Sequence, residues 1–317
     1  MIETNGLRKS FRTRKGTVEA VRGVDLKVRE GEIFGFLGPN GAGKTTTLRM
    51  LATLIVPDGG QATVAGADLR RSPGEVRRRI GYVAQGGSTW DTVTAREELV
   101  LQARLYGISK ARARERAARA IGSFQLREFA DRKCQTYSGG QRRRVDIALG
   151  IIHEPKVVFL DEPTTGLDPQ SRAHMWDEVR RLRGEGMTVF ITTHYLEEAD
   201  ALCDRVAIID YGEIVAEGTP DDLKREVAGD VVTVGLNGAT PKAAGLLDGQ
   251  PYVRKLESTD EGLRLYVDAG ATAIPQILRA LDGAGIGLGS IELHRPSLDD
   301  VFLTKTGRSL REGGDSQ

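Results

Sequence analysis

The eight residues Gly38-Pro39-Asn40-Gly41-Ala42-Gly43-Lys44-Thr45 fit the pattern G-x-x-x-x-G-K-[ST]. In such a run the glycines let successive backbone N–H groups turn inward around a phosphate. A helix opening near Lys44 adds the positive end of its dipole. Lys44 is expected to reach the β- and γ-phosphates of ATP, and the Thr45 hydroxyl, followed by Thr46, to ligate Mg²⁺. A second pair of residues, Asp161-Glu162, ends the apolar run Val157-Val158-Phe159-Leu160. Two carboxylates would then emerge at the C-terminal edge of a buried strand, where ligands of α/β sheets bind. Asp161 is expected to hold Mg²⁺ through water, because that ion keeps much of its hydration shell. Glu162 is placed to orient and deprotonate an attacking water. A lone Asp-Glu pair reads as solvated acids at a strand end; the phosphate loop is what gives this pair its chemistry.

The elements that must position these groups alternate along the chain. Ile33 to Leu37 reads as a strand, then the glycine-rich turn, then a helix from about Lys44 to Leu54. Ile80 to Ala84, Val157 to Leu160, Thr188 to Thr192 and Arg205 to Ile209 read as further strands, with helical segments between them. The stretch from Thr94 to Phe124 predicts two helices broken near Gly107 to Ser109, and Ser138 stands where an N-cap would. This alternation predicts an α/β domain with a largely parallel sheet. After Gly218-Thr219-Pro220 the pattern changes to a short helix near Asp221 to Glu226, then a β-α-β-β-α-β order. The strands there are Val231 to Leu236, Tyr252 to Leu256, Leu263 to Val267 and Gly287 to Leu293. Helices are expected at Pro241 to Leu247 and Ala273 to Leu281, and a polar turn at Asp260-Glu261-Gly262. That order predicts a small α+β, ferredoxin-like domain. The domains are set at residues 1–220 and 230–306, with a flexible polar tail at 307–317.

Bulk composition narrows the function classes. With 317 residues the chain has room for two domains. Its 45 basic and 44 acidic residues give a net charge of +1, so no nucleic-acid partner is expected. Arg112, Arg114, Arg116 and Arg119 lie in one stretch, but Glu115 and the alanines dilute it, and it reads as a solvated helix face. Two cysteines, Cys134 and Cys203, are too few and too far apart for a disulfide framework or a four-ligand zinc site. No apolar run approaches the roughly 18 to 20 residues that span a bilayer, and MIETNGLRKSF lacks the apolar core of a secretory signal.

Further motifs carry a resemblance. Ser138-Gly139-Gly140-Gln141, preceded by Tyr137, lies 23 residues before Asp161 and resembles the signature of ATP-binding cassette (ABC) proteins. Pro163-Thr164-Thr165-Gly166-Leu167-Asp168-Pro169 resembles the family's D-loop, His194 its switch histidine and Gln85 its Q-loop glutamine. The resemblance covers residues 1–220 and implies a P-loop ABC ATPase domain with a helical subdomain. It implies that Ser138, Gly139, Gly140 and Gln141 cap the γ-phosphate of ATP held by a second copy, in a head-to-tail homodimer. His194 would hold the γ-phosphate and the attacking water. Gln85 would reach Mg²⁺, and Asp168 would align the two sites. Tyr137 stands where the signature has Leu, and Phe11 where an adenine-stacking Tyr is usual; Phe11 reads nearly as well as plain core.

More narrowly, the chain is similar to the daunorubicin-type drug-resistance exporters of the ABC-2 group. Phe34-Gly35-Phe36-Leu37-Gly38, Thr89 to Leu99 and Arg295-Pro296-Ser297-Leu298-Asp299-Asp300-Val301-Phe302 carry that likeness. The last stretch also reads as a helical cap. The resemblance implies an ATPase that energises drug efflux through a separate membrane permease, at the cytoplasmic face of the cell membrane. Export of a polysaccharide, lipid or other cargo is the neighbouring reading. A non-transport ABC ATPase of DNA repair or the ribosome is disfavoured. Only 94 residues separate Lys44 from Ser138, with no cysteine cluster, and there is a single cassette.

Overall fold

The computed structural model describes residues 1–14, 16–227, 229–236, 240–259 and 262–307. The chain divides into two compact units, one spanning Met1–Gly218 and the other beginning at Thr219. The first unit runs β1 (Ile2–Thr13), β2 (Gly16–Val28), β3 (Ile33–Leu37), α1 (Lys44–Leu51), β4 (Gly59–Val64), β5 (Ala67–Asp68), α2 (Pro73–Arg79) and β6 (Ile80–Val83). It continues with α3 (Ala95–Leu105), α4 (Lys110–Ser123), a 3₁₀ turn at Cys134–Thr136, α5 (Gly139–Ile151) and β7 (Val157–Asp161). Then come α6 (Pro169–Gly184), β8 (Thr188–Thr193), α7 (Leu196–Leu202), β9 (Arg205–Asp210) and β10 (Glu213–Gly218).

The central sheet has the order β10-β9-β3-β8-β7-β6. It is parallel from β9 to β6, and β10 is added antiparallel. Every residue of β3, β7 and β8 is buried, as a parallel sheet covered on both faces requires. Phe34, Phe36 and Phe159 all meet Phe190 at ring-centre distances of 5.6–5.7 Å, which locks three adjacent strands together. Because β3, β7 and β8 run in parallel, their C-terminal ends gather the phosphate loop, Asp161-Glu162 and His194 at one edge.

The structure adds a second, antiparallel sheet, β2-β1-β4-β5, where the sequence reading names no strand before Ile33. In β1 the buried and exposed residues alternate only over its first half, and the charged second half conceals the strand. The first helix closes at Leu51, short of the expected Leu54, because Thr53 turns into the left-handed region at φ 61°. The two helices expected between Thr94 and Phe124 are α3 and α4, each started by a hydroxyl N-cap, Thr94 and Ser109.

The second unit runs α8 (Pro220–Val227), β11 (Asp230–Leu236), α9 (Thr240–Leu247), β12 (Val253–Thr259), β13 (Gly262–Val267), α10 (Gly270–Gly283), β14 (Leu288–His294) and α11 (Leu298–Thr306). Its sheet is antiparallel throughout, in the order β12-β13-β11-β14, which is the ferredoxin-like split βαβ arrangement. Val232, Val234, Leu263 and Leu265 pack with Ala273, Ile277 and Leu281 of α10 to form its core. On α11, Leu298, Val301 and Phe302 are buried, and a Ser297–Asp300 capping box opens the helix. Residues 260–261 of the expected polar turn and 308–317 of the expected tail lie outside the described residues.

Candidate functional site

The phosphate loop passes from β3 into α1. Gly43 takes φ 105°, and a Cβ there would come within 2.4 Å of the Ala20 carbonyl, so only glycine fits this turn. Gly38 is tied to β8 through its N–H and the Thr193 carbonyl at 3.2 Å. Asn40 and Gly41 form the exposed crown of the loop, between Pro39 and the buried Ala42. No side chain caps α1, and its first turn holds no acidic residue. The leading N–H groups of α1 therefore have no side-chain cap, an arrangement suited to an anion.

Lys44 is 4% exposed, and its Nζ donates to the carbonyls of Gly38 (2.8 Å) and Pro39 (3.0 Å). The same Nζ stands 3.3 Å from Glu162 Oε1. Burial lowers the Lys44 ammonium pKa, and the Glu162 charge pushes back against that fall. The hydroxyls of Thr45 (3.0 Å) and Thr192 (2.7 Å) both donate to Asp161 Oδ1. Thr46 follows on α1, half-buried.

Glu162 is the convergence point. Gln85 Nε2 (3.0 Å) and Thr165 Oγ1 (3.3 Å) donate to its Oε2, and His194 Nδ1 lies 3.2 Å from the same atom. The Glu162 N–H donates to the Thr192 carbonyl (3.1 Å) and to Thr192 Oγ1 (3.0 Å). Its backbone lies in the left-handed region, at φ 44°, which is strained for a residue with a Cβ. Burial pushes the Glu162 carboxyl up, but the His194 hydrogen bond and the Lys44 charge outweigh it and hold the pKa at about 2.

The structure therefore brings Lys44, Thr45, Gln85, Asp161, Glu162 and His194 into one cluster. Residues 38–43 and Thr46 adjoin this cluster, and the remaining predicted residues lie elsewhere. Ser138 caps α5 in a capping box with Gln141, and Gly139 and Gly140 follow in its first turn. Asp168 caps α6 through the Ser171 N–H and hydroxyl, at 2.9 and 2.6 Å, and these bonds lower its pKa. Gly140 approaches the same Ser171, for a Cβ on it would lie 2.6 Å from that hydroxyl. No hydrogen bond or ion pair among the described residues joins Ser138, Gly139, Gly140 or Gln141 to the Lys44–Glu162 cluster. Phe11 is 40% exposed on β1, with Lys9 Nζ 5.5 Å from its ring centre, which removes the plain-core reading.

The sequence reading missed Thr192 and Arg143. Thr192 is one of three threonines in β8, fully buried, and bonded to both acidic positions. Arg143 is 6% exposed and reaches carbonyls on both sides of Glu162. An arginine on the inward face of a helix is the signal that could have found it.

Comparison with known proteins agrees with this geometry. A family model described as ABC transporter matches residues 21–165. A second, the C-terminal domain of DrrA1-3-like ATP-binding proteins, matches residues 218–306. The chain is 45% identical to the daunorubicin/doxorubicin resistance ATP-binding protein DrrA of Streptomyces peucetius, over 100% of this chain and 97% of that protein. It is 37% identical to the Nod factor export ATP-binding protein I of Rhizobium sp. strain N33, over 98% of each. Among solved structures, the ATP-binding cassette MJ0796, in a dimeric post-hydrolysis state bound to ADP and Pi, aligns with a TM-score of 0.64. That alignment has 27% identity and covers 69% of this chain and 98% of that one. A nucleotide-gripping loop, a buried glutamate at its rim and a DrrA-like second domain thus occur together in one chain, which belongs to the ABC transporter ATP-binding proteins of the DrrA type and hydrolyses ATP.

Proposed function

We propose that this chain is the ATPase subunit of an exporter that moves a hydrophobic drug or antibiotic through a separate membrane permease. The observation that carries this reading is similarity along the whole chain, second domain included, to a drug-resistance ATP-binding protein. Residues 1–220 would be the motor and 230–306 the accessory domain. No helix among the described residues is long and apolar enough to cross a membrane, so the pore would come from a partner. In this reading the chain works at the cytoplasmic face of the membrane. A second reading, export of another cargo, is favoured by the Nod factor exporter's likeness over nearly the full length.

The site residues take roles from their positions. The N–H groups of Asn40, Gly41 and Gly43 and the start of α1 would wrap the phosphates, with Lys44 on the β- and γ-phosphates and Phe11 against the base. The site would also take Mg²⁺, a hard cation suited by hydroxyl and carboxylate oxygens. The Thr45 hydroxyl and the Asp161 carboxylate already lie 3.0 Å apart, and the Gln85 amide is next to them through Glu162. When bound, that ion would neutralise charge on the phosphates. Glu162 would take the proton of the attacking water, and His194 would hold that water and the γ-phosphate. Ser138, Gly139, Gly140 and Gln141 would complete the site of a second copy, with Asp168 beside the junction.

The test is co-expression with a neighbouring multi-span membrane protein, followed by copurification and an ATPase assay with and without anthracycline drugs. The expected outcome is a stable complex whose hydrolysis rises with drug, both rates falling at least about 100-fold in Lys44→Ala. A complex that no drug stimulates, but that another exported compound does, would favour the second reading.

A further inference from the structure

Helix α5 begins at the signature residues, and its buried face carries two charged side chains three positions apart, Arg143 and Asp146. The Arg143 guanidinium donates to three backbone carbonyls. Nη1 donates to Ala84 (2.6 Å), Nη2 to Asp161 (3.2 Å) and Nε to Pro163 (2.8 Å). Ala84 immediately precedes Gln85, and Asp161 and Pro163 flank Glu162. Asp146, one turn further along, accepts from the N–H groups of Ser88 (2.8 Å) and Thr89 (3.2 Å) and from the Ser88 hydroxyl (3.2 Å). A single helix therefore grips the Gln85 loop on both sides and the Glu162 turn on both sides. The planar fork of arginine presents its N–H donors in a fixed spread that suits three carbonyls from two segments. The grip also has something to resist, since Glu162 is held at φ 44°, from which the backbone would relax if its flanking carbonyls were freed.

We propose that Arg143 is a positioning residue for ATP hydrolysis: it fixes Glu162 and Gln85 against one another and ties both to the helix that carries the signature. Any displacement of α5 then moves the Glu162 turn with it. This rests on the reading of Glu162 as the base for water, and it assigns Arg143 no contact with nucleotide. A shift of about 1 Å in a catalytic group is enough to lower turnover 100-fold.

The experiment uses the full chain and compares wild type, Arg143→Met, Arg143→Lys, Glu162→Gln and the Arg143→Met/Glu162→Gln double variant. Steady-state ATP hydrolysis, MgADP affinity and denaturant unfolding are measured for each. We expect kcat to fall roughly 30- to 100-fold in Arg143→Met, with KM and MgADP affinity within about 3-fold of wild type. Arg143→Lys should be intermediate. In the Glu162→Gln background, Arg143→Met should change the residual rate by less than about 3-fold, because the group it positions is gone. Unchanged kcat in Arg143→Met overturns the proposal. So does a rise in KM matching the fall in kcat, or an equal fall in both backgrounds. If Arg143→Met does not unfold cooperatively, Arg143→Lys decides by the same criteria. Failure of both to fold makes the residue structural and overturns the proposal. A Glu162→Gln variant hydrolysing at the wild-type rate would instead remove the reading of Glu162 as base, whatever Arg143 does.

Discussion

Lys44 and Glu162 hold each other at 3.3 Å, almost out of contact with water. Lys44 also spends its ammonium on the carbonyls of Gly38 and Pro39, the loop that a phosphate would enter. An arriving γ-phosphate would draw Lys44 away and release Glu162 to accept a proton. The depressed carboxyl gives a pH signature of the closed cluster. Its folded pKa of about 2 lies below the ordinary 4.5, so its stabilisation is complete above about 4.5 and is lost as pH falls towards 2. Without nucleotide, wild type should therefore exceed Glu162→Gln in unfolding free energy by about 3 kcal/mol at pH 7. Denaturant titrations should show that gap narrowing from about pH 5 downward; a gap that widens in acid would mean that the ion pair does not stabilise the fold. Most of this cluster is legible in sequence because each member sits at a fixed local place, Lys44 at a loop end and Glu162 after an apolar strand. Arg143 is not, because its carbonyl partners lie 18, 20 and 59 residues away and carry no side-chain identity. It is also one of three consecutive arginines, and only the geometry of α5 tells which one is buried.

Three helices start at chemistry-bearing residues, and they start differently. Helix α1 opens from Gly43 with no side-chain cap, while α5 and α6 open with Ser138 and Asp168 accepting from their own third residues. A serine cap satisfies one N–H without adding charge, so the end of α5 remains open to an anion. This separates a capping role for Ser138 from a phosphate-binding one. Ser138→Ala should lose about 1 kcal/mol of stability by thermal or denaturant unfolding. Ser138→Asp keeps an excellent cap and should retain stability, yet it places a negative charge where a phosphate would come, so its ATP turnover should fall further than that of Ser138→Ala. Turnover that follows stability in both variants would leave Ser138 as a cap alone. The alternation of strand and helix was readable over these elements because parallel strands are continuous apolar runs. Strands β1 and β2 were not readable, since their outer halves are solvated and charged and their pairing is interrupted by register shifts.

At the scale of the molecule, the proposed ATP site draws on two unlike parts of the chain. One part is the Lys44–Glu162 cluster, and the other is the signature end of α5, which no hydrogen bond or ion pair among the described residues joins to it. If nucleotide has to touch both, two copies must meet head to tail, and ATP itself becomes part of the interface. The dimer should then form only with a γ-phosphate present and persist only while hydrolysis is blocked. Glu162→Gln with MgATP should accordingly sediment as a dimer at micromolar concentration, and the same variant with MgADP as a monomer. Ser138→Asp added to Glu162→Gln should remain monomeric with MgATP, because the added charge faces the phosphate that joins the copies. Nucleotide binding to the double variant should persist, since Lys44 and the phosphate loop are untouched. Sedimentation of all three samples decides the matter. A Glu162→Gln protein that stays monomeric with saturating MgATP would place the energy of dimer formation in the membrane partner, and a double variant that still dimerises would remove Ser138 from the interface.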